Sequence, residues 1–155
     1  VIQGLERDGV VRQISRVQYR NPFAGKFEQT GIQRTLTEEQ KNAVDGIWDE
    51  YAQGIRKTYL LEGVTGSGKT EVYMELISRV IAEGKQQSVL IPEIALTFQT
   101  VRRFYERFGD RVSVMHSRLS EGERYDQFLR AKAGEIDVMI GQGLRCLHHF
   151  HRLVL

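Results

Sequence analysis

The eight residues Gly63-Val64-Thr65-Gly66-Ser67-Gly68-Lys69-Thr70 constrain this chain more than any other stretch. They fit the pattern G-x-x-x-x-G-K-[ST] at every position. Glycines at these places let successive backbone N–H groups turn inward around phosphate oxygens, where Cβ atoms would stand in the way. Lys69 offers a mobile cation to the outer phosphates, and Thr70 offers a hydroxyl to Mg²⁺. A loop of this kind sits between a strand and a helix whose N-terminus adds partial positive charge. The stretch therefore predicts an α/β fold and a nucleoside triphosphate as ligand.

The flanking sequence supplies that context. Thr37 is a good N-cap with Gln40 at the third helical position, a capping box. Val44, Ile47, Trp48 and Tyr51 are spaced for one face of a helix ending near Ala52. Tyr59-Leu60-Leu61 reads as a short buried strand entering the glycine loop. A second helix is expected from Glu71 to about Glu83, with Val72, Leu76, Ile77, Val80 and Ile81 inward and Gly84 as its stop. Strands follow at Ser88–Ile91, Val112–Met115 and Ile136–Ile140. Helices are expected at Ala95 to Phe108 and from Ser120 to Lys132. This rhythm means parallel βα units with right-handed crossovers. Their ligand edge lies at the carboxyl ends of the strands, where Gly63–Thr70, Pro92–Thr97, His116–Ser120 and the residues after Gly141 should gather.

Composition narrows the classes. The chain has 155 residues, 41% hydrophobic and 27% charged, room for about one domain with a core. Its net charge of +2 announces no nucleic-acid surface, so any such surface is local. A single cysteine, Cys146, rules out an internal disulfide. No apolar run reaches the ~20 residues needed to cross a bilayer, and residues 1–20 lack the apolar core of a signal peptide. No membrane partner and a cytoplasmic location are expected. The chain opens on Val1 rather than Met, which points to a fragment. Residues 1–35, with Asn21-Pro22, Gly25 and Gly31, read as the end of a preceding module and a linker.

Several side chains allow two readings. Gln40 donates and accepts together, which suits an adenine edge, yet the capping box alone accounts for it. At Pro92-Glu93-Ile94-Ala95-Leu96-Thr97, backbone N–H groups and Thr97 can hold a phosphodiester oxygen. Glu93 equally resembles a Mg²⁺-organising acid, and the residues alone leave both open. Ser117 and Arg118 suit phosphate; His116 is more simply structural. Arg102, Arg103 and Arg107 read as a solvated basic helix side. Cys146, His148, His149 and His151 match no zinc spacing.

Residues 36–141 resemble the first helicase lobe of the PriA family, the superfamily 2 helicases of replication restart. The resemblance rests on Leu36-Thr37-Glu38-Glu39-Gln40, on Leu60 to Tyr73, on Pro92 to Thr97 with Gln99, and on His116-Ser117 with Glu123-Arg124. The chain departs from the family in having Phe98 where proline is usual. The resemblance implies a RecA-like P-loop lobe, incomplete here, with residues 1–35 as the end of a winged-helix region. It implies ATP and Mg²⁺ at Gly63, Val64, Thr65, Gly66, Ser67, Gly68, Lys69, Thr70 and Glu71, with adenine at Gln40. Lys69 and Thr70 take the catalytic roles, and Thr70 holds Mg²⁺. Pro92, Glu93, Ala95, Leu96 and Thr97, with His116 and Ser117, are placed on the DNA side. The implied partners are single-stranded or forked DNA, the primosome and single-strand-binding proteins. Zinc is implied for the longer family proteins, but its cysteine ligands are absent here.

After Gly141 the resemblance stops. Family members continue with Arg-Ser-Ala-Leu-Phe, an apolar strand and Asp-Glu-Glu-His; here residues 142–155 contain no acidic residue. Restoring one base before codon 142 lets this tail be read as Pro-Arg-Ser-Ala-Leu-Phe followed by Thr-Pro-Phe-Pro-Pro-Leu-Gly-Leu, which predicts a shifted reading frame. The expectation is an ATP-dependent 3′-to-5′ DNA helicase of replication restart, inactive as these residues alone. The alternatives are a nucleotide-binding module without catalysis and a small P-loop kinase, for which no lid and no late acidic residue are found.

Overall fold

The structure is a computed structural model. It describes residues 35–141 throughout, apart from the Glu93 side chain, with the strand Leu153–Val154 and scattered positions before residue 35. The expected winged-helix end over residues 1–35 lies largely outside the described residues. So do residues 142–152 of the expected shifted-frame tail, including Cys146, His148, His149 and His151.

Helix α1 spans Glu38–Ala52 and opens on the predicted capping box: the Thr37 hydroxyl accepts from the Gln40 N–H while the Gln40 side chain accepts from the Thr37 N–H. Glu38 and Glu39 in its first turn oppose the helix dipole. Helix α2 spans Lys69–Ala82, strand β1 Gln86–Leu90 and helix α3 Phe98–Phe108. Strand β2 spans Val112–Met115, helix α4 Glu121–Lys132, strand β3 Val138–Gly141 and strand β4 Leu153–Val154. The sheet is parallel, in the order β2-β3-β1-β4. This is an α/β, RecA-like lobe whose sheet is incomplete.

One face of the sheet carries the main core. Val112 and Val114 of β2 and Val138 and Ile140 of β3 point at Met74 and Ile77 of α2 and at Val101, Phe104 and Tyr105 of α3. The opposite face presents Met139 to Ala131 of α4 and to Ile136. There the buried Ser113 hydroxyl donates to Gln127 Oε1 at 3.0 Å.

Three local expectations need correction. The strand expected at Tyr59-Leu60-Leu61 does not form: residues 55–64 have neither helix nor strand, and Leu60 is 84% exposed. A strand exists only as half of a ladder, and no described strand stands beside this segment. It is tied instead to α1 through Glu50, which accepts from Tyr59 OH and from Lys57 Nζ, the latter at 2.7 Å. Helix α3 starts three residues later than expected. Glu93–Ala95 form a 3-10 turn and Thr97 becomes the N-cap, accepting from the Thr100 N–H at 3.3 Å. Arg107 is not solvated with its basic neighbours: its side chain is 10% exposed and its Nη2 lies 2.6 Å from Glu75 Oε2 on α2. The linker region, which lacks hydrophobic periodicity, still contributes Phe27, whose ring centroid sits 5.1 Å from that of Tyr105.

Two predictions follow from this packing. Phe104, 1% exposed at the centre of the main core, loses about 3–5 kcal/mol on substitution by Ala, measured by urea denaturation. The Lys57 hydrogen bond, followed by that of Tyr59, holds the Glu50 carboxyl below its ordinary range. A lowered carboxyl favours the folded tie above its unfolded pKa, and the tie is lost as pH falls through the folded value. The Tyr59 ring and Lys57 Nζ NMR resonances are therefore expected to move toward their free positions on acidification in the native protein, and to be there already at neutral pH in Glu50→Gln.

Candidate functional site

Parallel pairing puts the strand ends in a row. Leu90 of β1 stands opposite Gly141 of β3, which stands opposite Met115 of β2. The segments leaving these residues therefore emerge along one edge, as the βα rhythm predicts. The glycine loop reaches the same edge by way of α2: Thr70 and Tyr73 share a cleft with Leu90, Ile91, Pro92 and Ala95.

The loop is built on backbone conformations that only glycine adopts readily. Gly66 has φ 86° and Gly68 has φ 81°, both left-handed. Gly68 is the N-cap of α2 and caps with no side chain of its own. A Cβ on Gly63 would lie 2.6 Å from Ser67 Oγ, and one on Gly68 would lie 2.2 Å from Gln40 Nε2. The turn is closed by the Ser67 N–H donating to the Val64 carbonyl at 3.1 Å. Lys69 Nζ folds over the loop, donating to the Gly63 carbonyl at 2.6 Å and the Val64 carbonyl at 3.0 Å. Thr65 sits at the exposed crown of the loop, and Val64 is exposed beside it.

Gln40 reaches this loop. Its Nε2 donates to the Ser67 carbonyl at 2.9 Å while its Oε1 accepts from the Thr37 N–H at 3.0 Å. The same amide thus closes the cap of α1 and clasps the loop across 27 residues of sequence. Thr70 Oγ1 lies 3.4 Å from Tyr73 OH, within hydrogen-bond range, and Glu71 stands in the first turn of α2 with its carboxylate 3.9 Å from Arg107 Nη1. Tyr73 is a site neighbour that the sequence reading missed; its place one helical turn beyond Thr70 was the available signal.

The second loop turns back on Pro92, whose carbonyl accepts from the N–H groups of Ala95 at 2.9 Å and Leu96 at 3.1 Å. The Thr97 hydroxyl is occupied as the cap of α3, and the Thr100 hydroxyl lies 3.1 Å from it. Ile94 is 91% exposed at the tip, and Phe98 is exposed beside it. In the third loop His116 Nδ1 accepts from the Arg118 N–H at 3.2 Å, and the Ser117 carbonyl accepts from Arg124 at 2.9 Å. Strand order puts this loop at the far end of the row from the glycine loop, with β3 and β1 between. No group of three or more His, Cys, Asp or Glu residues able to hold a metal occurs among the described residues.

The geometry generates a graded test. Gly66→Ala costs about 1–2 kcal/mol from conformation alone, since nothing stands within 4 Å of its added Cβ. Gly68→Ala carries that penalty and also displaces Gln40, adding about 1 kcal/mol for the lost hydrogen bond. Introduced into Gln40→Ala, where that bond is already absent, Gly68→Ala is expected to cost only the conformational penalty, read as the difference in denaturation between the double variant and Gln40→Ala.

Comparison with known proteins places these features. The family model described as "Type III restriction enzyme, res subunit" matches residues 33–146. The chain is similar to the replication restart protein PriA of Bacillus subtilis, 41% identical over 140 residues, covering 90% of this chain and 17% of that protein. The corresponding PriA of Synechocystis is 40% identical over 144 residues, 90% of this chain and 16% of the relative. That of Haemophilus influenzae is 48% identical over 83 residues, 54% of this chain and 11% of the relative. The chain thus spans about a sixth of the first two. With a P-loop, a parallel sheet and a family match over residues 33–146, the chain belongs to the family described as the res subunit of type III restriction enzymes, and it is similar over much of its length to replication restart proteins PriA.

Proposed function

We propose that this chain is part of an ATP-dependent 3′-to-5′ DNA helicase of replication restart, and that its described residues form the nucleotide-binding side of the motor's first lobe. The observation that carries the reading is the loop at Gly63–Thr70. Left-handed glycines leave its backbone free to wrap an anion, and Lys69 already sits over its mouth. Phosphate oxygens would replace the Gly63 and Val64 carbonyls as partners of Lys69, and the N-terminus of α2 would add its dipole. Thr70 is the residue placed to hold Mg²⁺, with Glu71 next to it. Gln40 is placed to read adenine once its clasp on Ser67 opens. When bound, Mg²⁺ supplies charge neutralisation for phosphoryl transfer.

Pro92–Thr97 and His116–Ser117 are assigned to the DNA backbone, because they follow strands that end in one row. With Thr97 spent on its cap, the backbone N–H groups of this loop are the expected contacts rather than its hydroxyl. Single-stranded or forked DNA, the primosome and single-strand-binding proteins are the partners this reading implies, and the cytoplasm is the compartment. Zinc, if the longer protein holds it, is held by residues other than those described here.

The Asp-Glu pair that would position Mg²⁺ and the attacking water is absent from residues 142–155, and the family match ends at residue 146. A one-base shift near codon 142 remains our account of that tail. Resequencing across the codon tests it, and an intact frame overturns it. These 155 residues alone are expected to bind Mg-ATP weakly and to hydrolyse almost none.

The motor reading is tested on the longer, frame-restored protein by ATP turnover with and without single-stranded DNA. Stimulation by DNA is expected, and Lys69→Ala is expected to lower the stimulated rate by about 10²-fold or more, the scale of removing one charge-stabilising donor. A rate indifferent to DNA would remove the helicase reading and leave a nucleotide-binding module.

A further inference from the structure

Phe98 is a large apolar side chain held out in solvent. It is the first residue of α3 and is 62% exposed. Single exposed apolar residues are ordinary on a protein surface, but this one is set apart by what stands behind it. Its ring centroid lies 5.1 Å from that of Phe27, and the Phe27 ring lies 5.1 Å from that of Tyr105. Phe27 is half-buried, and Tyr105 is 2% exposed, with its hydroxyl donating to the Val112 carbonyl of β2 at 3.2 Å. Three rings thus run outward from the core, and the outermost keeps most of its surface open. The two inner rings are covered without needing the whole of it.

The backbone beneath Phe98 is fixed. The Thr97 hydroxyl accepts from the Thr100 N–H, and Thr100 Oγ1 donates to the Ala95 carbonyl at 3.1 Å. The turn after β1 and the first turn of α3 are thereby one unit, so the ring has little freedom to lose on meeting a flat ligand. The surroundings favour an anion. One helical turn further along α3, Arg102 and Arg103 are exposed, and only Arg102 is set against Glu106, at 2.7 Å. The open ring therefore stands between a positively charged helix side and the Pro92–Thr97 loop.

We propose that Phe98 is a stacking platform for one base of single-stranded DNA. The ligand class follows from the pairing of an open aromatic face with exposed cations: a nucleotide carries a flat ring and a phosphate together, whereas an apolar peptide matches only the first and a free phosphate only the second. Every base has a π face, so the contact grips the strand without reading its sequence. Phosphates on one side of the stacked base fall to the Pro92–Thr97 loop and on the other to Arg103. The proposal rests on the assignment of that loop to the DNA backbone and adds to it a contact with a base. It also gives Phe27, a residue of the segment before α1, a part in holding DNA, because Phe27 braces the ring from behind.

The probe is a fluorescein-labelled oligothymidylate of about twelve nucleotides, compared with a strand of equal length whose sugars carry no bases. Binding to the 155-residue chain is followed by fluorescence anisotropy at low ionic strength. The intact strand is expected to bind about tenfold more tightly than the abasic one. Phe98→Leu keeps an apolar side chain against Phe27 but has no π face. It is expected to bind the two strands alike, with the abasic strand held as in the unaltered chain. In Phe98→Trp the added indole emission is expected to be quenched by the intact strand and not by the abasic one, with the unaltered chain, whose single tryptophan is Trp48, as the blank. Equal binding of both strands by the unaltered chain overturns the stacking proposal and leaves the backbone assignment standing. A preference for the intact strand that survives Phe98→Leu overturns it in the same way, and so does loss of both strands together in that variant. Failure of the unaltered chain to hold either strand overturns the backbone assignment, and the proposal with it.

Discussion

The register of three parallel strands is the constraint on which the rest depends. With Leu90, Gly141 and Met115 abreast, each strand delivers its outgoing loop to one edge and each returning helix to a face. The core then follows from the two-residue period of the strands. Val112, Val114, Val138 and Ile140 face α2 and α3, and Ser113 and Met139 face α4. A slip of one residue would exchange those sets and drive Ser113 into the main core. The positions of Pro92–Thr97 and His116–Ser117 are a consequence of that register, because each segment leaves the end of one of its strands.

The helices over the main face are joined by charge as well as by apolar packing. Asp45 of α1 meets Arg79 of α2 at 2.8 Å, Arg79 reaches Glu75 at 3.6 Å, and Glu75 meets Arg107 of α3 at 2.6 Å. Arg107 also donates to Ser78 Oγ at 3.0 Å. Half-buried pairs of this kind are costly to break singly, because the remaining partner stays away from water. They fix how α2 and α3 sit against each other. Helix α2 begins at Lys69 and α3 is capped by Thr97, so the two candidate loops are mounted on elements held in one relative position.

What could be read from the sequence was what neighbouring residues decide among themselves. Thr37 with Gln40 announced a helix start because the cap and its partner lie three apart, and Ser120 began another, where the structure adds Glu123 as the partner. Gly84 announced a helix end because its φ of 74° suits glycine. The glycine loop was legible for the same reason. What could not be read depends on distant partners. Tyr59-Leu60-Leu61 has the composition of a strand, but a ladder needs a neighbour that composition does not supply. Arg107 sits on a basic stripe by periodicity, and only the fold reveals Glu75 across from it. The clasp of Gln40 on Ser67 was equally hidden, since a capping box gives full account of a glutamine at that position without it.

The way Lys69 rests has a consequence for how quickly the loop can respond to an anion. Its ammonium is neither adrift in solvent nor locked to a carboxylate; it leans on two carbonyls of the loop it guards. Capture of a negatively charged group is then an exchange of oxygens around a cation already in place, with little rebuilding of the chain. A pre-set grip of this sort leaves the ammonium within reach of an incoming oxygen before any other group has to move.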